Sequence, residues 1–315
     1  MTSLRTGVIG VGHLGQHHAR LYAALPDSTL IGVMDLDQDR ARTIADRYGA
    51  RPFDRLVDLL SEVDVVSVAV PTSAHYPVAK ICLEAGKHVL VEKPIAVASA
   101  EARELVELAK AKGCQLQVGH SERFNPIMQM MRPYIKRPAF IEGHRLAPYS
   151  ERGTDVDVVL DLMIHDLDLV LSFDPGPVEE VRAAGVPVFS TTIDIANARI
   201  QFRSGCVANL TASRVSLNKM RRLRLFQRDG YISMDFQARQ GFIGRRSTDQ
   251  RERPSIAIEE FKGHDGEPLK LQLESFLQSI RSGSCPVVSG EDGAAALGVA
   301  HQVLAAIDSF VRRNS

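Results

Sequence analysis

The sequence carries no net charge: 38 Lys and Arg residues balance 38 Asp and Glu residues. Proteins whose main partner is nucleic acid or an anionic membrane carry a basic excess, so neither partner is expected. The four cysteines, Cys82, Cys114, Cys206 and Cys285, are scattered, without a CxxC pair or ligand spacing. That excludes a disulfide scaffold and a cysteine-based zinc site, and it suits a reducing compartment. No apolar run is read as reaching the roughly 18 residues that cross a bilayer. The chain passes from Met-Thr-Ser-Leu-Arg straight into a strand-like segment, leaving no space for a signal peptide. A cytoplasmic protein is expected. Internal repeats and low-complexity tracts are also lacking.

What is present is 315 residues, 44% of them hydrophobic, enough to bury about two cores. Near the start, Thr6-Gly7-Val8-Ile9 runs into Gly10-Val11-Gly12-His13-Leu14-Gly15, and a helical pattern follows from Gln16 to Ala24. A GxGxxG turn between strand and helix cradles a dinucleotide pyrophosphate. The first glycine makes the bend, the second admits the phosphates, and the third lets the helix approach the strand. Thr29–Met34 reads as the next strand and ends at Asp35, twenty residues past Gly15. A carboxylate there accepts hydrogen bonds from the adenosine ribose and repels a 2′-phosphate, which favours NAD. Arg40 leaves NADP open, and Asp35 could instead cap the helix that follows.

Val63–Val70 and His88–Val91 read as central strands, and their ends carry Pro71-Thr72, His75 and Glu92-Lys93-Pro94. Ligands of open α/β sheets lie beyond strand carboxyl ends, so Pro71, Thr72, His75, Glu92 and Lys93 are placed against the cofactor with His13 and Leu14. The alternation stops after Gly119. The expected division is a Rossmann-like α/β domain over residues 1–120 and an α+β domain over 121–315 with a large, mainly antiparallel sheet. Its closing helices, Leu269–Arg281 and Glu291–Val311, are free to pack back on the first domain. Gly241–Pro254 reads as a polar loop.

In the second part, Asp161, His165 and Asp168 recur at helical spacing and share a face, which makes His165 a candidate base tuned by a carboxylate. A solvated polar face is the plainer alternative. A metal site built with Asp157 lacks a second histidine or a carboxylate from another segment, so no metal is expected.

These three motifs in order resemble the Gfo/Idh/MocA oxidoreductases along essentially the whole chain. The resemblance implies that Lys93, Asp161 and His165 line the substrate site, and that Arg123, in Val118-Gly119-His120-Ser121-Glu122-Arg123-Phe124-Asn125-Pro126, sits near nicotinamide and substrate. It departs locally, with Val158-Val159-Leu160 and Leu162-Met163-Ile164 where many members have glycines. It implies an NAD(P)-dependent dehydrogenase oxidising a ring hydroxyl of a sugar or sugar nucleotide. The segment around Arg123, His144-Arg145-Leu146-Ala147-Pro148 and residues 158–169 (VVLDLMIHDLDL) resemble a branch of that family, which implies action on the 3-hydroxyl of UDP-N-acetylglucosamine for lipid A synthesis. Free sugars, inositols or other small substrates, and a non-catalytic cofactor sensor, are the alternatives. A sugar nucleotide needs a cation at its diphosphate. Arg123, Arg145 and Arg152 are candidates, Arg145 foremost, whereas Arg222, Arg224 and Arg228 read as a solvated sheet face. An antiparallel sheet with more strands than its helices can cover implies a homodimer or homotetramer.

Overall fold

The computed structural model describes residues 3–150, 156–246 and 256–314, with side chains through 310. It divides into two compact units, Met1–Ser121 with Glu267–Ala294 and Glu122–Gly266 with Ala295–Ser315.

In the first unit, β1 (Leu4–Ile9), β2 (Ser28–Met34), β3 (Arg51–Phe53), β4 (Val65–Val68), β5 (His88–Val91) and β6 (Leu116–Val118) form a parallel sheet. Its order is β3-β2-β1-β4-β5-β6, the doubly wound arrangement. Helices α1 (Gly15–Ala24), α2 (Gln38–Tyr48), α3 (Leu56–Glu62), α4 (Thr72–Glu84) and α5 (Ser99–Lys112) connect the strands. Strands covered on both faces need side chains that tolerate full burial, and every residue of Val65-Val66-Ser67-Val68 is buried. Strand order reverses between β1 and β4, so the crevice for a ligand opens at the carboxyl ends of those two strands.

The second unit contains α6 (Pro126–Met131), β7 (Phe140–Leu146), α7 (Ile164–Leu171), β8 (Val178–Val186), β9 (Ile195–Phe202), β10 (Val207–Ser213), β11 (Met220–Gln227), β12 (Gly230–Asp235), β13 (Gln240–Arg246) and β14 (Ile256–Lys262). Its eight strands are ordered β14-β13-β12-β11-β7-β10-β9-β8, and all neighbours are antiparallel except β7 and β10. Alternation sends Ile200, Leu210, Leu223, Leu225, Ile232 and Met234 to one face, where each is fully buried.

Two helices close the chain. The first, α8 (Pro268–Ser282), inserts Leu273, Phe276 and Leu277 into the core that holds Leu21, Tyr22 and Leu25 in the first unit. The last, α9 (Gly290–Asn314), contributes Ala296, Val299, Ala300, Val303 and Ile307 to the core of the second. Its stretch Gly290–Phe310 is long and apolar enough to cross a membrane by composition, contrary to the expectation from the sequence.

The expected loop over Gly241–Pro254 is also corrected. Its first part is β13, and the remainder, from Ser247, lies outside the described residues. Gly241 looks like a loop signal, but it is needed for close packing: a Cβ there would stand 2.9 Å from Ser233 O and 3.2 Å from Ile127 Cδ1.

Candidate active site

The turn after β1 has the properties its glycines predict. Gly10 has φ +82°, and an added Cβ would lie 2.7 Å from Ala69 O. A Cβ on Gly15 would lie 1.8 Å from Gly10 O, whereas a Cβ built on Gly12 would meet no atom beyond its chain neighbours within 4 Å. The fold therefore requires Gly10 and Gly15, while Gly12 leaves room for something outside the chain. No side chain among the described residues caps the N-terminus of α1. Its amide end suits an anion, and these features fit a dinucleotide pyrophosphate. Exposed His13 and Leu14 flank the turn. Gly15→Ala is expected to abolish measurable NAD binding in a fluorescence titration, because backbone and not a flexible side chain blocks the new methyl group. An unchanged Kd would contradict this.

Asp35 follows β2 and leans back on the turn. Its Oδ2 accepts the Val11 N–H at 2.8 Å, and its Oδ1 accepts from Asp37 N at 3.0 Å and Arg40 Nη2 at 3.1 Å. The capping alternative goes to another residue: Asp37 is the N-cap of α2, accepting from Arg40 N at 3.0 Å. Asp35 is thus fixed beside the phosphate turn with a cation at its edge.

The strand-end residues separate into two kinds. Pro71 is exposed and Thr72 half-buried at the start of α4. His75, placed against the cofactor by its position, is 1% exposed and faces inward. Its Nδ1 lies 2.7 Å from Pro94 O and its Nε2 2.9 Å from Val70 O. Both partners only accept, so the ring satisfies both only when doubly protonated, whereas burial pushes it toward the neutral form. His75, expected against the cofactor, braces the Glu92-Lys93-Pro94 turn through Pro94 O. Glu92 is 6% exposed; its Oε1 lies 3.0 Å from His18 Nε2 and its Oε2 accepts the Lys93 N–H at 3.3 Å. Burial pushes the Glu92 carboxyl up, but the His18 N–H with His75 and Lys93 nearby outweighs it, leaving the group below the ordinary range. Lys93 itself is half-buried.

In the second unit the helix carrying Asp161 and His165 begins with a wide turn. Val159–Met163 is π-helical, and the Ile164 N–H reaches back to Val159 O before α7 continues as an ordinary helix. Single π turns inside helices recur at functional sites because they offset one face against the next. Asp161 and His165 are both half-buried. Asp168 does not join them at a common open face. It is 1% exposed, and Arg123 grips it with Nε and Nη2, each at 2.8 Å. Arg123, expected beside nicotinamide and substrate, anchors α7 through these two bonds to a carboxylate. The turn entering the helix is braced as well: Ile193 N–H donates to Asp157 Oδ1 at 2.9 Å and Val158 N–H to Ile193 O at 2.9 Å.

Arg145, the favoured diphosphate ligand, is buried and paired. It is 3% exposed, with Nη1 on Glu122 Oε1 at 2.9 Å and Nε and Nη2 on Asp166 at 3.1 and 2.7 Å. Burial, with Glu122 close by, pushes the Asp166 carboxyl up, while Arg145 pulls it down. This guanidinium is committed to the core. Arg152 lies outside the described residues. Arg222 and Arg224 pair with Asp235 and Glu142 on the sheet surface. Among the described residues no cluster of three His, Cys, Asp or Glu side chains could hold a metal.

A family profile described as an oxidoreductase family with an NAD-binding Rossmann fold matches residues 4–120, and a GFO/IDH/MocA C-terminal domain matches residues 137–233. UDP-N-acetylglucosamine 3-dehydrogenase of Acidithiobacillus ferrooxidans is 39% identical, over 99% of this chain and 100% of that protein. The chain belongs to the Gfo/Idh/MocA family. Its members include the myo-inositol 2-dehydrogenase of Thermotoga maritima, 27% identical over 93% of each chain. The solved structure of the A. ferrooxidans enzyme, GnnA, superposes with a TM-score of 0.92 at 38% identity, covering 98% of this chain and 99% of that one. As a Gfo/Idh/MocA protein, the chain is an NAD-binding oxidoreductase acting on a small molecule.

Proposed function

We propose that this protein is a cytoplasmic dehydrogenase that oxidises the 3-hydroxyl of UDP-N-acetylglucosamine with NAD, supplying a 3-keto sugar nucleotide for lipid A synthesis. One observation carries the reading: the 39% identity to an enzyme of that name extends over the full length of both chains, so both domains match together. Bound NAD supplies the hydride acceptor. His165 takes the hydroxyl proton, Asp161 orients the ring and stabilises the imidazolium, and Lys93 hydrogen-bonds the reacting oxygen and offsets its developing charge. Gly10, Gly12, Gly15, Asp35 and the flanking His13, Leu14, Pro71 and Thr72 hold the dinucleotide. The test is growth of the reduced-nicotinamide absorbance with UDP-N-acetylglucosamine compared with free sugars and inositols. Reduction by myo-inositol alone would move the substrate within the family. NAD binding without turnover on any of them would favour a cofactor sensor.

Asp35 decides the cofactor. With Asp35→Ser, Arg40 loses one of its carboxylates and the repulsion of a 2′-phosphate disappears. The kcat/KM ratio of NAD to NADP is expected to fall at least about tenfold, roughly 1.4 kcal/mol. An unchanged ratio would count against Asp35 as the selector.

The assembly follows the same line: a homodimer or homotetramer through the outer sheet face. Phe140, Phe226, Tyr231 and Phe242 make an aromatic row there, with successive ring centroids 5.7, 4.8 and 5.3 Å apart, all partly exposed. A monomeric mass by light scattering would refute it.

A further inference from the structure

Ser67 is a polar residue inside a strand whose other members are all valine, and its hydroxyl is fully buried. It lies 3.0 Å from Tyr22 Oη and 3.0 Å from His18 Nδ1, while His18 Nε2 lies 3.0 Å from Glu92 Oε1. Tyr22 and His18 are both 0% exposed. Buried polar groups are kept only where each finds a partner, and here four meet in a row within the first unit.

The proton positions follow from the chemistry of the two ends. Burial pushes the Tyr22 phenol far up, so it remains O–H and can donate. Glu92, held below the ordinary carboxylate range, accepts. In one arrangement that satisfies every link, Tyr22 O–H donates to Ser67 Oγ, Ser67 O–H to His18 Nδ1, and His18 Nε2–H to Glu92. The far carboxylate oxygen accepts the Lys93 N–H, and the carboxylate fills the space beside Gly119, where a Cβ would stand 2.5 Å from Oε2.

We propose that His18 is a positioning residue: the chain Tyr22–Ser67–His18–Glu92 fixes the Glu92 carboxylate in one orientation, and that carboxylate fixes the backbone from which Lys93 projects. The proposal rests on the assignment of Lys93 to the reaction. It predicts that what matters at position 18 is a donor toward Glu92 and an acceptor toward Ser67, not an imidazole as such. Glutamine offers both and leucine neither.

The test is amide hydrogen exchange on the full chain without cofactor, paired with steady-state kinetics, for His18→Leu and His18→Gln. In His18→Leu, exchange in the Glu92–Ile95 turn is expected to rise about tenfold, the size of one lost buried hydrogen bond, with β1 and β6 unchanged. Its kcat is expected to fall about tenfold while KM for NAD stays within about twofold, and His18→Gln restores both readouts to within about threefold. Should His18→Leu not fold, Ser67→Ala removes the next link and is expected to show the same localised rise at about threefold. A rise spread evenly over α1 and the sheet, no rise in the turn, or a His18→Gln that behaves like His18→Leu would overturn the proposal. If the wild-type chain turns over no sugar, the functional reading fails, while the exchange contrast still decides what His18 does to the turn.

Discussion

Lys93→Ala and His165→Ala each lower kcat by about 10²–10⁴-fold on UDP-N-acetylglucosamine, with the Kd for NAD within about threefold of wild type. The magnitudes follow from what each side chain does. Removing a positioned general base costs the proton transfer that accompanies hydride loss from the same carbon, and water replaces it poorly. Removing Lys93 leaves the developing oxyanion without its charged donor, typically a loss of about 10²–10³. The proposal gives the cofactor to other parts, the glycine turn and Asp35, so its affinity is expected to survive both changes. The proposed mechanism has both groups serve one oxygen, so it predicts that the double variant loses far less than the product of the single losses. Steady-state kinetics with an independent NAD titration checks all three statements. Near-wild-type turnover in both single variants would refute the assignment of these residues.

Arg145→Met is expected to destabilise the protein by about 3–5 kcal/mol without touching the chemistry directly. The guanidinium is buried between Glu122 and Asp166, which are themselves 6% and 3% exposed. Methionine fills much of the volume but leaves Asp166 without its cation beside Glu122, which keeps only Arg221 and Asn125, so one buried carboxylate must take up a proton or stay uncompensated. The loss should therefore exceed that of a surface ion pair, which contributes about 0–1 kcal/mol. Denaturant unfolding followed by far-UV circular dichroism reads the effect. A loss below about 1 kcal/mol would show that the triad is not the electrostatic centre of its unit. Arg145→Lys keeps the charge but not the fork, and its cost should fall between.

That triad also shows where sequence reasoning stopped. Arg145 was legible as a cation near the candidate site, and its type suggested a phosphate ligand. The strand pattern held the correction, since residues two apart share a face and Arg145 falls in phase with Ile141 and Gly143, which are buried. His18 is a similar case. It shares the helical stripe of Leu21, Tyr22 and Leu25, so its inward direction was readable, but its partners Ser67 and Glu92 come from segments 49 and 74 residues away. Arg123 and Asp168 are 45 residues apart, and no local pattern joins them. The glycine turn, Asp35 and the Glu92-Lys93-Pro94 strand end were legible because each is dictated within a few residues by backbone geometry. The same locality made Asp161 and His165 visible. The π turn beneath them was not, because no residue type in Val159–Met163 marks it; Val158, Val159 and Met163 there are fully buried.

The central claim is that the 3-hydroxyl carbon of a UDP-sugar is the hydride donor. UDP-N-acetylglucosamine carrying deuterium at C3 tests it most directly, with the reduced cofactor analysed by mass spectrometry after a single turnover. The account predicts deuterium in the reduced nicotinamide and a slowed reduction with this label, and neither effect with deuterium at C4. Reduction without deuterium transfer from C3, or no reduction at all with this sugar nucleotide, would contradict it.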